Sequence, residues 1–286
     1  MARTTADRAA ALQLLRLCAH FGPGELDLDL LLSDPELFAR LMPDLTRAAG
    51  DPRRREAAIA GLAVGWRGSG NRVRLDPDAA REALDDLARP GRMGWWWAHS
   101  AVQLLDRLFP VSYGTPRELA VCADLAPHVH PAVDRAPGAP NSAALLIKLG
   151  YYLERHGEYE ACRDNQVRAL PIVAATYGPG SSSMAGVLFI LGCCQLSLGD
   201  WRAARSGFEQ AVQIYRGVAG PDSLDVAEAL YLLGTAQAGL GERGAARFSR
   251  VEALRILEAG AAPDDPRTEI VREALRPAPS RWRMFG

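Results

Sequence analysis

Leu191-Gly192, Gly199-Asp200-Trp201, Ala204, Phe208, Ala211 and Gly220-Pro221-Asp222 form the stretch whose reading decides the fold, because its marks recur along the chain. Leu149-Gly150 stands 42 residues before Leu191-Gly192, and Leu233-Gly234 stands 42 after it. The same interval separates Gly157, Gly199 and Gly241; Ala169, Ala211 and Ala253; and Pro179, Pro221 and Pro263. Four independent marks in one register are not a chance event. A period of this size signals stacked supersecondary units, an architecture that usually offers a binding surface and rarely a catalytic centre.

Each unit has room for two helices and two loops. The first helix carries Leu-Gly, where the small residue admits a neighbouring helix, and it ends at Gly157, Gly199 or Gly241, where positive φ is cheap. An aromatic follows in two units, Tyr159 and Trp201, but Arg243 stands at that place in the third. Small residues then recur on the second helix at Cys162, Ala204 and Ala246, and again at Ala169, Ala211 and Ala253. Arg250 also replaces an expected large apolar residue, so the third unit reads as a worn copy. A short helix from Thr268 to Leu275 is expected to cover the last apolar face. Residues 277–286, rich in Pro and Arg, form a tail expected to fray.

Upstream, Ala9 to Ala19 has helical apolar spacing and stops near Gly22-Pro23-Gly24. Asp34-Pro35, Asp51-Pro52 and Asp76-Pro77 each read as a capped helix start, leading to helices through Leu41, Leu62 and Leu87. Between the last two, Ala63–Arg67 and Asn71–Leu75 flank Gly68-Ser69-Gly70 as a hairpin. Helices closed by one hairpin outline a winged-helix-like domain over residues 1–90. Residues 91–140 form a helical bridge whose Pro137 lies 42 residues before Pro179, so it reads as a degenerate repeat. Its Trp95-Trp96-Trp97 cannot all face one core, since adjacent helical residues point about 100° apart; the run is expected to join the N-terminal domain to the first repeat. The fold class is thus mainly α: a winged-helix-like domain, then an α-α solenoid over residues 141–276.

The bulk properties agree with this reading. Of 286 residues 48% are apolar, enough for a sizeable core, and the net charge of −1 supplies no global field toward nucleic acid or anionic membrane. Lys148 is the only lysine among the basic residues. Five cysteines (Cys18, Cys122, Cys162, Cys193, Cys194) follow no metal-ligand spacing. The first ten residues lack a leader-like apolar stretch, and the longest apolar run, Ala185 to Cys194, is about half of a bilayer span. A reduced, cytoplasmic protein without membrane contact is the expectation.

The marks at Leu149-Gly150…Gly157-Glu158-Tyr159…Ala169-Leu170 and Leu191-Gly192…Gly199-Asp200-Trp201…Ala204…Phe208…Ala211, with the loop Gly220-Pro221-Asp222-Ser223-Leu224-Asp225-Val226-Ala227, resemble the tetratricopeptide repeat in its 42-residue, kinesin-light-chain-like form. A looser resemblance covers residues 8–135. The order of Leu-rich helix, Asp-Pro helix, hairpin, Trp97…Ala101-Val102…Leu104-Leu105…Phe109-Pro110 and Leu125-Ala126-Pro127-His128 is similar to the segment between nucleotide-binding module and repeats in bacterial NB-ARC/STAND-type regulators. In that family a winged-helix domain relays a nucleotide state to a repeat sensor. This chain departs from it: there is no G-x-x-x-x-G-K-[ST] phosphate loop, and Arg74-Leu75-Asp76-Pro77 replaces the His-Arg-Leu run. The ATPase switching of the family does not transfer.

The repeat resemblance implies a groove lined by the first helices. Inner-facing residues are expected to be Ile147, Tyr151, Glu154 and Arg155, then Phe189, Cys193 and Leu196, then Tyr231, Thr235 and Ala238. An apolar, aromatic strip with polar ends suits a protein or peptide partner, although some of these side chains will pack helix on helix. The Asn ladder of kinesin-light-chain-like repeats has no counterpart here. The alternative is a DNA-binding regulator, with Arg53–Arg55, Arg67, Arg72 and Arg74 on phosphates; acidic neighbours Asp76, Asp78, Glu82, Asp85 and Asp86 favour a solvated arginine face instead. His128 and His130 lack further ligands at a metal spacing. No nucleophile elbow, zincin motif or catalytic dyad is present, so no enzyme, cofactor or metal is expected. The expected role is a non-catalytic adaptor or sensor in a bacterial regulatory system.

Overall fold

Twelve helices and three short strands follow in order along the computed structural model, which describes residues 5–22, 24–33, 36, 66–69, 72–262 and 264–276. The expected helices after Asp34-Pro35 and Asp51-Pro52, and the tail from 277, lie outside the described residues. The chain divides into two units, Met1–Tyr152 and Leu153–Gly286.

In the first unit α1 spans Thr5–Cys18, β1 Leu26–Asp27 and α2 Leu28–Leu31. A hairpin of β2 (Trp66–Ser69) and β3 (Arg72–Leu75) follows, and β1 pairs antiparallel with β3 to give the sheet order β1-β3-β2. Register runs Trp66 to Leu75, Ser69 to Arg72, and Leu26 to Val73. Gly68 and Ser69, expected in the turn, belong to β2. Asp76 caps α3 (Pro77–Leu87), accepting from the Asp78 and Ala79 amides, with Pro77 where no amide donor is needed.

The bridge is two helices, α4 (Gly94–Leu108) and α5 (Pro116–Arg135). Trp97 is buried, Trp96 half-buried and Trp95 exposed, as their 100° offsets require; α4 packs on α1 and α2. Helix α5 extends beyond its apolar stretch, Leu119 to Val129, at both ends. Its start is a capping box that the reading passed over, with Thr115 and Glu118 bonding each other's backbone. Its end lies beyond Pro127 and Pro131, which look like breakers. Pro131 has no amide to give the Pro127 carbonyl. Gly22 lies against that oxygen, and a Cβ there would sit 2.4 Å from it, so only glycine fits. The core of this unit is Leu14, Leu17, Leu28, Leu31, Leu104, Leu105, Phe109, Leu125 and Val129, all at most 2% exposed.

Helix α6 (Ser142–Arg155) crosses the division between units. In the first unit, Lys148 Nζ bonds the Asp106 carboxylate at 2.8 Å and the Asp106 carbonyl at 2.6 Å, tying α6 to the end of α4. Asn141 donates to the same carboxylate and the Tyr113 hydroxyl to the Lys148 carbonyl.

The second unit continues through α7 (Tyr159–Tyr177), α8 (Ser182–Ser197), α9 (Trp201–Ala219), α10 (Leu224–Gly239), α11 (Arg243–Gly260) and α12 (Pro266–Leu275), each packed on the next in sequence. Gly157, Gly199 and Gly241 take φ of 75°, 79° and 79°. Each sits between the crossed bonds of a Schellman turn: Glu158, Asp200 and Glu242 donate to the Leu153, Gln195 and Gln237 carbonyls, while the glycines donate to those of Glu154, Leu196 and Ala238. The Leu-Gly mark is also explained. A Cβ on Gly192 would lie 2.8–3.0 Å from the buried Phe208 ring, so the ring's seat exists because the side chain opposite is absent. Cys162, Ala204, Ala246, Ala169, Ala211 and Ala253 are all buried where the helices meet.

Arg250 is not a decayed position. It occupies the Phe208 seat one period later, its stem against Gly234, and its Nη1 bonds the Ala274 carbonyl at the end of α12 at 3.1 Å. A long stem with a charged tip fills an apolar seat and ties down a helix C-terminus together. Asp265 caps the start of α12, which therefore begins two residues before the expected Thr268.

Candidate functional site

Among the expected groove residues, Ile147 is half-buried and Tyr151 exposed on the part of α6 in the first unit. In the second unit Glu154 is half-buried and Arg155 exposed at the end of the same helix. Phe189, Cys193 and Leu196 on α8, and Tyr231 and Thr235 on α10, are half-buried; Ala238 is exposed. This graded exposure is what a surface of first helices shows when second helices cover its back. Two residues are partly committed to the scaffold: the Phe189 ring stands edge-on to Phe208 at 5.8 Å, and the Thr235 hydroxyl bonds the Tyr231 carbonyl.

The structure brings Glu154 of α6, Cys193 of α8 and Glu228 of α10 within electrostatic range of one another. Burial raises the Glu154 carboxyl above its ordinary range, with Arg155 opposing. Burial likewise raises Glu228; Arg267, 3.7 Å away, opposes this, while Asp225, Asp265 and Glu154 add to it. Burial and the flanking carboxylates raise the Cys193 thiol and keep it protonated. The face is thus acidic as well as apolar. The period hides Glu228: it aligns with Gly186 and Ala144, neither of which carries a charge.

The nucleic-acid candidates fare differently. Arg72 is held by Asp124 at 2.5 Å and Glu25 at 3.4 Å, and the Asp124 bond raises its guanidinium further. A phosphate would have to displace both carboxylates. Arg74 is exposed, and the side chain of Arg67, like Arg53–Arg55, lies outside the described residues. His128 is a core histidine, fully buried, with Nε2 3.2 Å from the Glu25 carbonyl and its ring against Phe21. Among the described residues no group of three or more His, Cys, Asp or Glu side chains could hold a metal ion, and no helix is long and apolar enough to cross a membrane. Cys194 is a free thiol buried against Cys162.

Residues 141–217 and 196–259 match the tetratricopeptide repeat family. Among solved structures, BtubC (BKLC) from P. vanneervenii is similar at 19% identity and a TM-score of 0.48, over 82% of this chain and 94% of that one. The apo form of RapI is similar at 13% identity and a TM-score of 0.50, over 70% of this chain and 54% of RapI. No curated protein matches the chain. Residues 141–259 are therefore helical repeats of the tetratricopeptide type, and the chain is a mainly helical repeat protein.

Proposed function

We propose that the chain is a non-catalytic adaptor or sensor of a bacterial regulatory system that binds a protein or peptide on the first helices of its repeats. The observation that carries this reading is the set of Glu154, Cys193 and Glu228 on three successive first helices, beside half-open Tyr231. Carboxylates whose ionisation is disfavoured by burial and by each other gain most from a partner that supplies a cation. Apolar residues beside them take the uncharged part of the same segment. The partner chemistry that fits is a peptide segment with Arg or Lys next to apolar side chains.

Residues 1–90 act, in this proposal, as a winged-helix-like protein-contact module. Support comes from β1 joining the hairpin to make a three-stranded antiparallel sheet after α1. DNA binding is not favoured, because Arg72 is already engaged by Asp124 and Glu25.

Selection of a random displayed-peptide library on the full chain tests the proposal. Enriched peptides are expected to combine basic and apolar residues, and to lose about tenfold or more in affinity when Tyr231→Ala is combined with Glu228→Gln. Peptides that bind this variant as tightly as the parent chain would refute the assignment of the face.

A further inference from the structure

The first unit carries a shallow, open cavity of about 690 Å³ that the repeat surface does not use, bordered by α3, the loop after it, the start of α4 and the end of α5. Four observations there point the same way. His20 borders the cavity at 4% exposure, and neither of its ring nitrogens has a hydrogen-bond partner among the described residues. An imidazole closed off from solvent without partners is costly unless something completes it.

Helix α4 opens onto the cavity through Gly94 and Trp95 and has no side-chain cap; its N-cap residue is Met93 and its first turn carries no acid. The Trp96 and Trp97 amides donate to the Met93 carbonyl, which leaves those of Gly94 and Trp95 without an intrahelical acceptor, and the helix dipole leaves positive potential there. Met93, on the same wall, holds φ of 54°, the one positive φ outside glycine among the described residues. Backbone strain of that kind persists where a surrounding site requires it.

The charges are unbalanced. Arg89 and Arg135 both border the cavity. Arg135 spends Nη1 on the carbonyls of His20 and Pro131, and no carboxylate among the described residues pairs with it. Arg89 shares Asp86 with Arg16 and Arg92, at 3.5–3.6 Å, so three guanidiniums face one carboxylate. Next to them the wall turns apolar, with Leu84, Leu87 and the Trp95 ring, which is 65% exposed.

We propose that this cavity binds a small organic anion, its carboxylate or phosphate ester at the N-terminus of α4 between Arg89 and Arg135, and its planar apolar body against Trp95. His20 lies in the wall behind them, with both ring nitrogens closed off from solvent. Burial, with Arg135 adding to it, lowers its ring to about 4, so at neutral pH it adds no third cation to the wall. The two arginines carry the charge recognition, and the tryptophan face selects a flat ligand over a bare ion.

Calorimetric titration of the full chain with phenyl phosphate, benzoate, benzamide and inorganic phosphate tests this. At least one aromatic anion is expected to bind, and the tighter of the two identifies the headgroup. Benzamide and inorganic phosphate are expected to bind about tenfold more weakly or not at all. Arg89→Gln and Trp95→Ala, both exposed and so without consequence for folding, should each lower the affinity by about fivefold or more. Ring nitrogen signals of His20 should move on saturation. The proposal is overturned by three results: no binding of either aromatic anion at about 10 mM, unchanged affinity in both variants, or inorganic phosphate binding as well as phenyl phosphate, which would make this an adventitious ion site.

Discussion

Gly192→Ala is expected to change sign with the identity of residue 208. In the parent chain the added methyl would stand 2.8 Å from Phe208 Cε1 and 3.0 Å from Cδ1 and Cζ, and the ring is fully buried, with Phe189 at 5.8 Å. Forcing one carbon into such a core costs about 1–3 kcal/mol. The same substitution gains about 1 kcal/mol of helix propensity in the middle of α8. The net is a loss of about 0–2 kcal/mol. Phe208→Ala alone removes the ring and costs about 3–5 kcal/mol. In that background the methyl has space, and Gly192→Ala should stabilise by about 1 kcal/mol. The coupling between the two sites is then about 1–3 kcal/mol, well above the scatter for sites that do not touch. Urea titrations of the four proteins by far-UV circular dichroism measure it, and hydrogen exchange in α8 and α9 locates the loss. Equal destabilisation by Gly192→Ala in both backgrounds would show that the Leu-Gly mark does not exist to seat the ring.

Three further outcomes follow from the geometry. Arg250→Ala should loosen α12, costing about 1–2 kcal/mol through the lost stem packing and the Ala274 bond, and speed amide exchange over residues 266–275; unaltered exchange there would contradict the clamp. Because the folded state raises the Glu228 carboxyl, its protonated form is favoured on folding, and the associated stability is lost as pH rises through the folded value. Glu228→Gln should therefore raise the melting temperature at pH 7, and the gain should shrink to nothing near pH 4, while a lowered melting temperature at pH 7 would refute the sign. His20 behaves in the opposite sense: its folded value of about 4 lies below the ordinary 6.5, so the unfolded chain takes the proton first. Stability of the first unit should fall between pH 6.5 and 4, by up to about 3 kcal/mol, and His20→Gln should flatten that slope.

Features that recur, or that obey a local rule, were legible in the residues alone. Asp76-Pro77 starts a helix wherever it stands, since the carboxylate and the missing amide act within one turn. Gly157, Gly199 and Gly241 announced their positive φ through spacing. Features that depend on a distant partner were not legible. The run of α5 past Pro131 was not legible, because nothing near it in sequence shows that Gly22 lies against the Pro127 carbonyl. Arg72 read as part of a solvated arginine face, its partner hidden because Asp124 lies 52 residues away along the chain. Glu228 was missed for the converse reason: a periodic reading looks for what repeats, and this charge departs from its own register. The acidity beside Cys193 emerges only when α6, α8 and α10 are set side by side.

Arg250 also bears on how such a chain changes length over evolutionary time. A repeat array ordinarily ends on an atypical capping unit, so a duplication at the end buries that cap. Here the terminator is a single side chain occupying an internal seat, tied to a closing helix that travels with it. Duplication of the segment from Pro179 to Gly220 would add a repeat upstream and leave Arg250, Gly234 and α12 in their present relation. The array is built to grow from its middle, with its end carried along unchanged.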